Sequence, residues 1–252
     1  MRSQKSGYLP LYSDLSCTQQ GKNPQKIPKI FHQIWHDWGK GHPNPSALYQ
    51  GWTEARLKLH PGWVEKLWRI EDSRAFIAEF YPWFLPTYDG YDKPIKRVDA
   101  LRYFILDHFG GVYVDMDSEA LKNMEPYIEG CNLVVGHEDS TNYVINNAFM
   151  ASVPGYSLWN KIQHALVARK DLGVLKATGP IMLTELIHEY LSEEQPLFFK
   201  VYEQKYIYPI HWSVGGGKSE AAVRCVQSVE LCRELYPEAF HVDFFGASWV
   251  EK

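Results

Sequence analysis

Apolar and polar positions fall into alternating blocks that predict strands and helices in turn. The first is Ile27-Pro28-Lys29-Ile30-Phe31-His32-Gln33-Ile34-Trp35, a β-rich run that reads as a buried strand. Residues 39–45 hold two Gly and two Pro and form a loop. Ser46 is placed to cap a helix reaching about Leu59, stopped by His60-Pro61-Gly62. Trp63 to Ile70 reads as a second strand, and Glu71 to Tyr81 as a helix closed by Pro82 and Pro86. Lys96 to Phe109 is the clearest helix, with Val98, Leu101, Ile105 and Phe109 near helical period and Gly110-Gly111 at its end. Val112-Tyr113-Val114 is a third strand, Leu133 to Gly136 a fourth and Asn147 to Ser152 a fifth. Helices follow near Tyr156–Arg169 and Ile181–Leu191, the second opened by Gly179-Pro180, and Phe198 to Ile210 is β-rich. Strands alternating with helices predict an α/β sheet, and the less regular second half predicts a mixed one.

Residues 1–26 lack periodicity and read as a flexible N-terminal arm or a surface wrap, which leaves 27–252 as a single domain. A chain of 252 residues with 45% apolar residues is large enough for a real core, which excludes disordered and collagenous classes. A net charge of −4 speaks against nucleic acid as a partner. There is no run of 18 apolar residues, so no integral membrane span is expected, and no apolar signal segment opens the chain. Cys17, Cys131, Cys225 and Cys232 form no C-x-x-C pair and suggest reduced thiols. Together these predict a cytoplasmic or otherwise soluble protein, compatible with peripheral membrane association. The 9 Trp, 16 Tyr and 12 Phe suit a cleft for flat ligands such as sugars and bases, although large cores use such residues too.

The candidate chemistry centres on Val114-Asp115-Met116-Asp117, two carboxylates where a buried strand emerges. In open α/β sheets ligands bind at carboxyl strand ends, and paired carboxylates there suit a hard divalent cation bridging a diphosphate. D-x-D alone also describes an ordinary solvated turn. Asp99 and Arg102 share a face of the preceding helix at i, i+3, either as a surface ion pair or as a joint grip on sugar hydroxyls and phosphate. The Gly110-Gly111 turn brings that helix back to the D-x-D strand and gathers the four charged groups around one crevice.

This string, Asp99-Ala100-Leu101-Arg102-Tyr103 followed by Gly110-Gly111-Val112-Tyr113-Val114-Asp115-Met116-Asp117, resembles the D-x-D sugar-binding glycosyltransferases of family 32. These include fungal initiating α-1,6-mannosyltransferases, inositol-phosphorylceramide mannosyltransferases and bacterial capsule enzymes of polysaccharide biosynthesis; the glucosylating domains of clostridial toxins are more distant. Asn147-Ala148-Phe149-Met150 and Thr178-Gly179-Pro180 match as well, and the resemblance covers roughly residues 27–250. It implies a GT-A fold, a Rossmann-like mixed sheet flanked by helices, and a retaining hexosyltransferase that uses a nucleotide sugar and Mn²⁺ or Mg²⁺. In that reading Asp115 and Asp117 serve the metal, Asp115 also the ribose or sugar, and Asp99 and Arg102 the donor sugar. Gln33, Ile34 and Trp35 lie toward the base, with Ser248-Trp249 at the diphosphate end. The family's terminal His is displaced here: His241 comes early and Asp243 stands nearer its usual place, so either is a candidate third metal ligand. UDP-glucose, UDP-galactose and GDP-mannose all remain open as donors, with Trp35 favouring UDP, and the acceptor is a carbohydrate or glycoconjugate hydroxyl.

Other features carry less. Trp212 to Ser219 ends in Gly-Lys-Ser but lacks the first glycine of a P-loop and a preceding βαβ start. His32 and His36 are spaced like helical zinc ligands on a β-like run, where packing is the better reading. His137-Glu138-Asp139 follows the fourth strand and either lines the acceptor side or forms a solvated loop. Two rival functions stay open, a D-x-D phosphatase or phosphotransferase and a non-catalytic carbohydrate-binding protein. The first needs later Lys and acidic motifs that are not evident, and the second does not need the four charged residues.

Overall fold

Two Rossmann-like parallel connections open the structure, and antiparallel strands complete its sheet. The computed structural model describes residues 15–17, 24–39, 41–139, 142–193, 198–211 and 219–246. Among them β1 (Ile30–Ile34) is followed by α1 (Ala47–Leu59), β2 (Val64–Trp68), α2 (Ile70–Phe80), α3 (Leu85–Asp89) and α4 (Pro94–Phe109). Next come β3 (Gly111–Val114), β4 (Ser118–Ala120), α5 (Glu125–Ile128), β5 (Leu133–His137) and β6 (Ile145–Ser152). The chain continues through α6 (Ser157–Ala168), α7 (Val174–Ala177), α8 (Pro180–Glu193), β7 (Phe199–Tyr202), α9 (Gln204–Ile207), α10 (Glu220–Gln227), α11 (Val229–Leu235) and β8 (His241–Asp243). The main sheet runs β2-β1-β3-β6-β5-β7. β2, β1 and β3 are parallel, β6 is antiparallel to β3 and β5, and β7 is parallel to β5, so the sheet is mixed as the sequence predicts. No helix among the described residues is long and apolar enough to cross a membrane.

The first helix starts where its cap requires: the Ser46 side chain accepts the Tyr49 N–H. Helix α4 matters most for the site. From Ile95 to Leu106 all but Arg97 are buried, because the sheet, α6 and α7 enclose it on several sides. It therefore carries charged residues inward as well as apolar ones, and Phe109, read as core from its periodicity, is instead 38% exposed. Gly110 and Gly111 make the return to β3 at φ 63° and 93°. A Cβ on Gly111 would stand 2.5 Å from Ile30 Cγ2 and 2.7 Å from the Ile30 carbonyl oxygen. Gly111→Ala is therefore expected to cost about 2–4 kcal/mol from overpacking and backbone strain together. A thermal melt checks this, and an unchanged midpoint would refute it.

Three sequence expectations need correction. Phe198 to Ile210 is not one β-rich run: β7 is four residues long and the chain then turns into α9, whose Ile207 and following Tyr208 plug the core beside Gly136. The sequence predicts no strand directly after the D-x-D, whereas β4 pairs there with β8 in a second small sheet. The cysteines are not reduced thiols, since Cys17 bonds Cys131 and Cys225 bonds Cys232. The first pair is 114 residues apart in sequence, and only the folded chain brings the two α-carbons within 4.5 Å. Disulfides persist mainly in oxidising compartments, so the thiols no longer argue for the cytosol. Leu15 packs on the main core, and the Gln25 N–H donates to Asn132 Oδ1. Ser248, Trp249 and residues 212–218 of the P-loop-like stretch lie outside the described residues.

Candidate active site

The D-x-D leaves the sheet as β3 ends. The Asp115 N–H still bonds the Ala148 carbonyl of β6, and the Asp115 carbonyl accepts from Ser118 Oγ at 2.6 Å, which tightens the turn into β4. β4 then pairs antiparallel with β8 so that Ser118 lies opposite Asp243. That register carries a residue from near the chain's end to the side of Asp117. Phe244 N–H donates to the Asp117 carbonyl and Gly246 N–H to Asp117 Oδ2, which locks the two segments together. A Cβ on Gly246 would meet that same oxygen at 2.8 Å.

Asp115, Asp117 and Asp243 each bring a carboxylate oxygen within 4.8 Å of the others. Donors fasten one oxygen of each: Tyr113 Oη at 2.6 Å and Arg102 Nη2 at 3.0 Å on Asp115 Oδ1, Gly246 N–H on Asp117 Oδ2, and Phe245 N–H at 2.8 Å on Asp243 Oδ1. Asp243 Oδ2 is buried with no hydrogen-bond partner among the described residues. Burial raises all three carboxyls above the usual carboxylate range. For Asp243 the charges of Asp117 and Asp115 raise it further, whereas Arg102 partly opposes the rise at Asp115. An orphaned buried oxygen within an all-oxygen trio fits a hard divalent cation such as Mn²⁺ or Mg²⁺.

Asp99 and Arg102 do not form a surface pair. Both are 5% exposed and belong to a buried network. Arg102 Nη2 lies 3.4 Å from Asp99 Oδ1, and Arg102 Nη1 donates to the Asn147 carbonyl at 2.9 Å. Its guanidinium stands 4.8 Å above the Tyr113 ring. Asn147 Nδ2 donates to Asp99 Oδ1 at 3.2 Å and Thr178 Oγ1 to Asp99 Oδ2 at 2.9 Å. Asn147 and Thr178 thus acquire a physical role: they satisfy a carboxylate that burial pushes toward its neutral form.

A cleft of about 480 Å³ opens over these groups. Ile34, Trp35, Asp99, Arg102, Asp115, Asp117 and Asp243 line it. Gln33 lies beneath, donating to the Asp115 carbonyl at 3.3 Å and accepting from Thr53 Oγ1 at 2.9 Å, so it braces the turn without lining the cleft. His241 stands apart from the carboxylates: its ring packs on Phe149, Nδ1 bonds the Ile207 carbonyl, and burial lowers its pKa to about 3, which keeps it neutral. His32 is likewise a packed, neutral residue, accepting at Nδ1 from Trp68 Nε1 and donating from Nε2 to the Gly110 carbonyl. Tyr49, Trp38 and Asn146, to which no sequence motif points, also line the cleft, as does His36, for which the sequence predicts packing. Tyr49 sits edge-on to Trp35 at 6.4 Å, and burial followed by Asp117, Asp243 and Asp115 raises its hydroxyl pKa. The helical spacing of Tyr49, Trp52 and Arg56 signals a shared face of α1 but not what that face meets.

Residues 31–141 match the family described as glycosyltransferase sugar-binding region containing DXD motif. The chain carries a DXD-containing glycosyltransferase domain. The chain is 32% identical over 176 residues to a mannosyl phosphorylinositol ceramide synthase of Saccharomyces cerevisiae, a match covering 66% of this chain and 44% of the relative. It is 32% identical over 184 residues to inositol phosphoceramide mannosyltransferase 2 of Schizosaccharomyces pombe, covering 69% of this chain and 50% of the relative. The chain thus spans about half the length of these curated relatives. An uncharacterized glycosyltransferase of Acanthamoeba polyphaga mimivirus is 28% identical over 73% of each chain. The GT-A type fold is shared with the PaToxG glycosyltransferase, at a TM-score of 0.53 and 20% identity over 67% of this chain and 72% of that one. It is shared also with the UDP-bound glycosyltransferase domain of the YGT toxin, at 0.50 and 9% over 70% and 79%.

Proposed function

We propose that the protein transfers a hexose from a nucleoside diphosphate sugar to a hydroxyl of a glycoconjugate, with retention at the anomeric carbon. The observation that carries this reading is a single cleft in which the acid trio of Asp115, Asp117 and Asp243 adjoins the buried Asp99–Arg102–Asn147 network. Asp115, Asp117 and Asp243 would hold Mn²⁺ or Mg²⁺, which when bound neutralises charge on the departing diphosphate. Asp99, fixed by Asn147 and Thr178, accepts hydrogen bonds from donor sugar hydroxyls. Arg102 opposes the upward pKa shift of Asp99 and Asp115 and aims both. Trp35 and Tyr49 offer flat surfaces for the base. The new bond forms from the acceptor oxygen to the anomeric carbon as the bond to the diphosphate breaks, and the hydroxyl proton passes to the leaving phosphate. Most of the rate gain is positioning and charge stabilisation.

The curated relatives favour mannose as the sugar and inositol phosphoceramide as the first acceptor to try. The test is a thermal shift panel of GDP-mannose, UDP-glucose and UDP-galactose, each with Mn²⁺. GDP-mannose at a hundredfold excess over its Kd is expected to add about 2.7 kcal/mol, or about 5–11 °C for a chain of this size. A panel in which no nucleotide sugar exceeds the shift from Mn²⁺ alone would overturn the reading.

A further inference from the structure

The acid trio and Asp99 do not exhaust the carboxylates of the cleft. Glu138, the residue after β5, lines the same cavity. Its backbone N–H bonds the Val144 carbonyl, and one carboxylate oxygen, Oε2, accepts from Asn146 Nδ2. The Asn146 amide cannot turn over, because its own Oδ1 already accepts the Ala148 N–H at 2.7 Å. Asn146 therefore always presents a donor to Glu138, holding Oε2 and leaving Oε1 for a ligand. Asn147, the next residue of β6, holds Asp99 in the same manner from the other face of the strand, so two neighbouring amides aim two carboxylates at one cleft. Burial raises the Glu138 carboxyl above its usual range, and Asp139 adds to the rise, which makes its oxygen a strong hydrogen-bond acceptor.

We propose that Glu138 receives the attacking hydroxyl: its free oxygen accepts a hydrogen bond from that hydroxyl and turns the hydroxyl oxygen toward the donor's anomeric carbon. This rests on the transferase reading above. Glu138 stays ionised throughout, since the proton passes to the leaving phosphate as the new carbon–oxygen bond forms and the bond to the diphosphate breaks. The attacking molecule is an acceptor hydroxyl or, when none is present, water.

The fixed orientation of Asn146 supplies a discriminating variant. In Glu138→Gln the side-chain carbonyl must face the Asn146 donor, which forces the glutamine NH₂ into the cleft. The structural bond survives, and the cleft-facing acceptor becomes a donor. Mn²⁺-dependent hydrolysis of GDP-mannose, UDP-glucose and UDP-galactose is measured for both proteins, together with the Kd of the matching nucleoside diphosphate by calorimetry. The expected result is a kcat about 100-fold lower for Glu138→Gln with nucleotide affinity and melting temperature unchanged. Glu138→Asp, which keeps a carboxylate in the cleft, should recover about tenfold over Glu138→Ala, and this comparison carries the test if the glutamine variant does not fold. A kcat close to wild type, or turnover and nucleotide affinity lost together, overturns the role of Glu138. If the wild-type protein neither binds nor turns over any of the three donors, the transferase reading falls and this inference falls with it.

Discussion

Exchanging Asp243 for asparagine is expected to abolish Mn²⁺ binding and to raise the melting temperature of the metal-free protein. Both effects follow from one arrangement. Three carboxylates, Asp243 buried and Asp115 and Asp117 half-buried, lie within 4.8 Å of one another, and Asp243 Oδ2 has no donor among the described residues to satisfy it. Without a cation their mutual repulsion works against the fold, so removal of one charge stabilises the native state, by about 0.5–2 kcal/mol as relief of a strained site commonly does. The sign with pH follows from the same shift. The folded-state pKa of Asp243 is raised by burial and by its neighbours, so the native protein binds the proton more tightly than the unfolded chain. Stability of the metal-free protein therefore falls as the pH rises from about 4 toward the folded value, and that fall should be smaller in Asp243→Asn. Loss of a ligand should weaken Mn²⁺ binding by more than the roughly 10–100-fold that loss of an outer-shell partner costs. Melts with and without Mn²⁺ at pH 5.5 and 7.5 read all three effects. A variant that keeps its Mn²⁺ shift, or melts lower than wild type in EDTA, would refute the arrangement.

The parts of this site written in one short stretch of sequence were legible. Asp99, Arg102, Gly110, Gly111, Asp115 and Asp117 occupy 19 consecutive positions, and a helix, a turn and a strand suffice to bring them together. Asp243 became a candidate through the family resemblance and its place near the end of the chain. What seats it is the pairing of two three-residue strands across more than a hundred residues, and neither strand has enough length to show a period. Tyr49 and Trp38 were hidden for a similar reason, since their meeting with the acids depends on how α1 and the loop after β1 pack. Helix α4 was found, but the reach of its buried face was underestimated. Amphipathic periodicity identifies helices with one wet side, and this one is enclosed almost throughout. The cysteines misled because spacing identifies zinc ribbons and compact disulfide frameworks, whereas a bridge across 114 residues leaves no local trace.

Arg102→Met tests how far the buried network depends on a single cation, and a loss of about 3–5 kcal/mol is expected. The substitution keeps most of the side-chain volume, so the effect is electrostatic rather than a cavity. Arg102 serves Asp99, Asp115 and the Asn147 carbonyl together, and burial of its guanidinium is outweighed by Asp115, Tyr113 and Asp99, which hold it ionised. Without it the buried Asp99 and the half-buried Asp115 lose the charge that offsets their desolvation, and their pKa values rise beyond their already raised positions. They can escape the penalty by binding protons, so the loss should be smaller at pH 5 and larger at pH 8. Lysine is a poor replacement, because a single ammonium cannot reach three acceptors while lying flat over the Tyr113 ring. Urea unfolding of Arg102→Met and Arg102→Lys at the two pH values checks each step. A loss equal at both would mean that Arg102 acts through packing, and a loss below about 1 kcal/mol, the range of an exposed ion pair, would mean that the network is not the buried charge cluster described above. If the pH dependence appears as expected, Arg102 is what allows Asp115 to remain an anion at the edge of the acid trio, and the cleft's affinity for a cation then depends on a residue that never touches it.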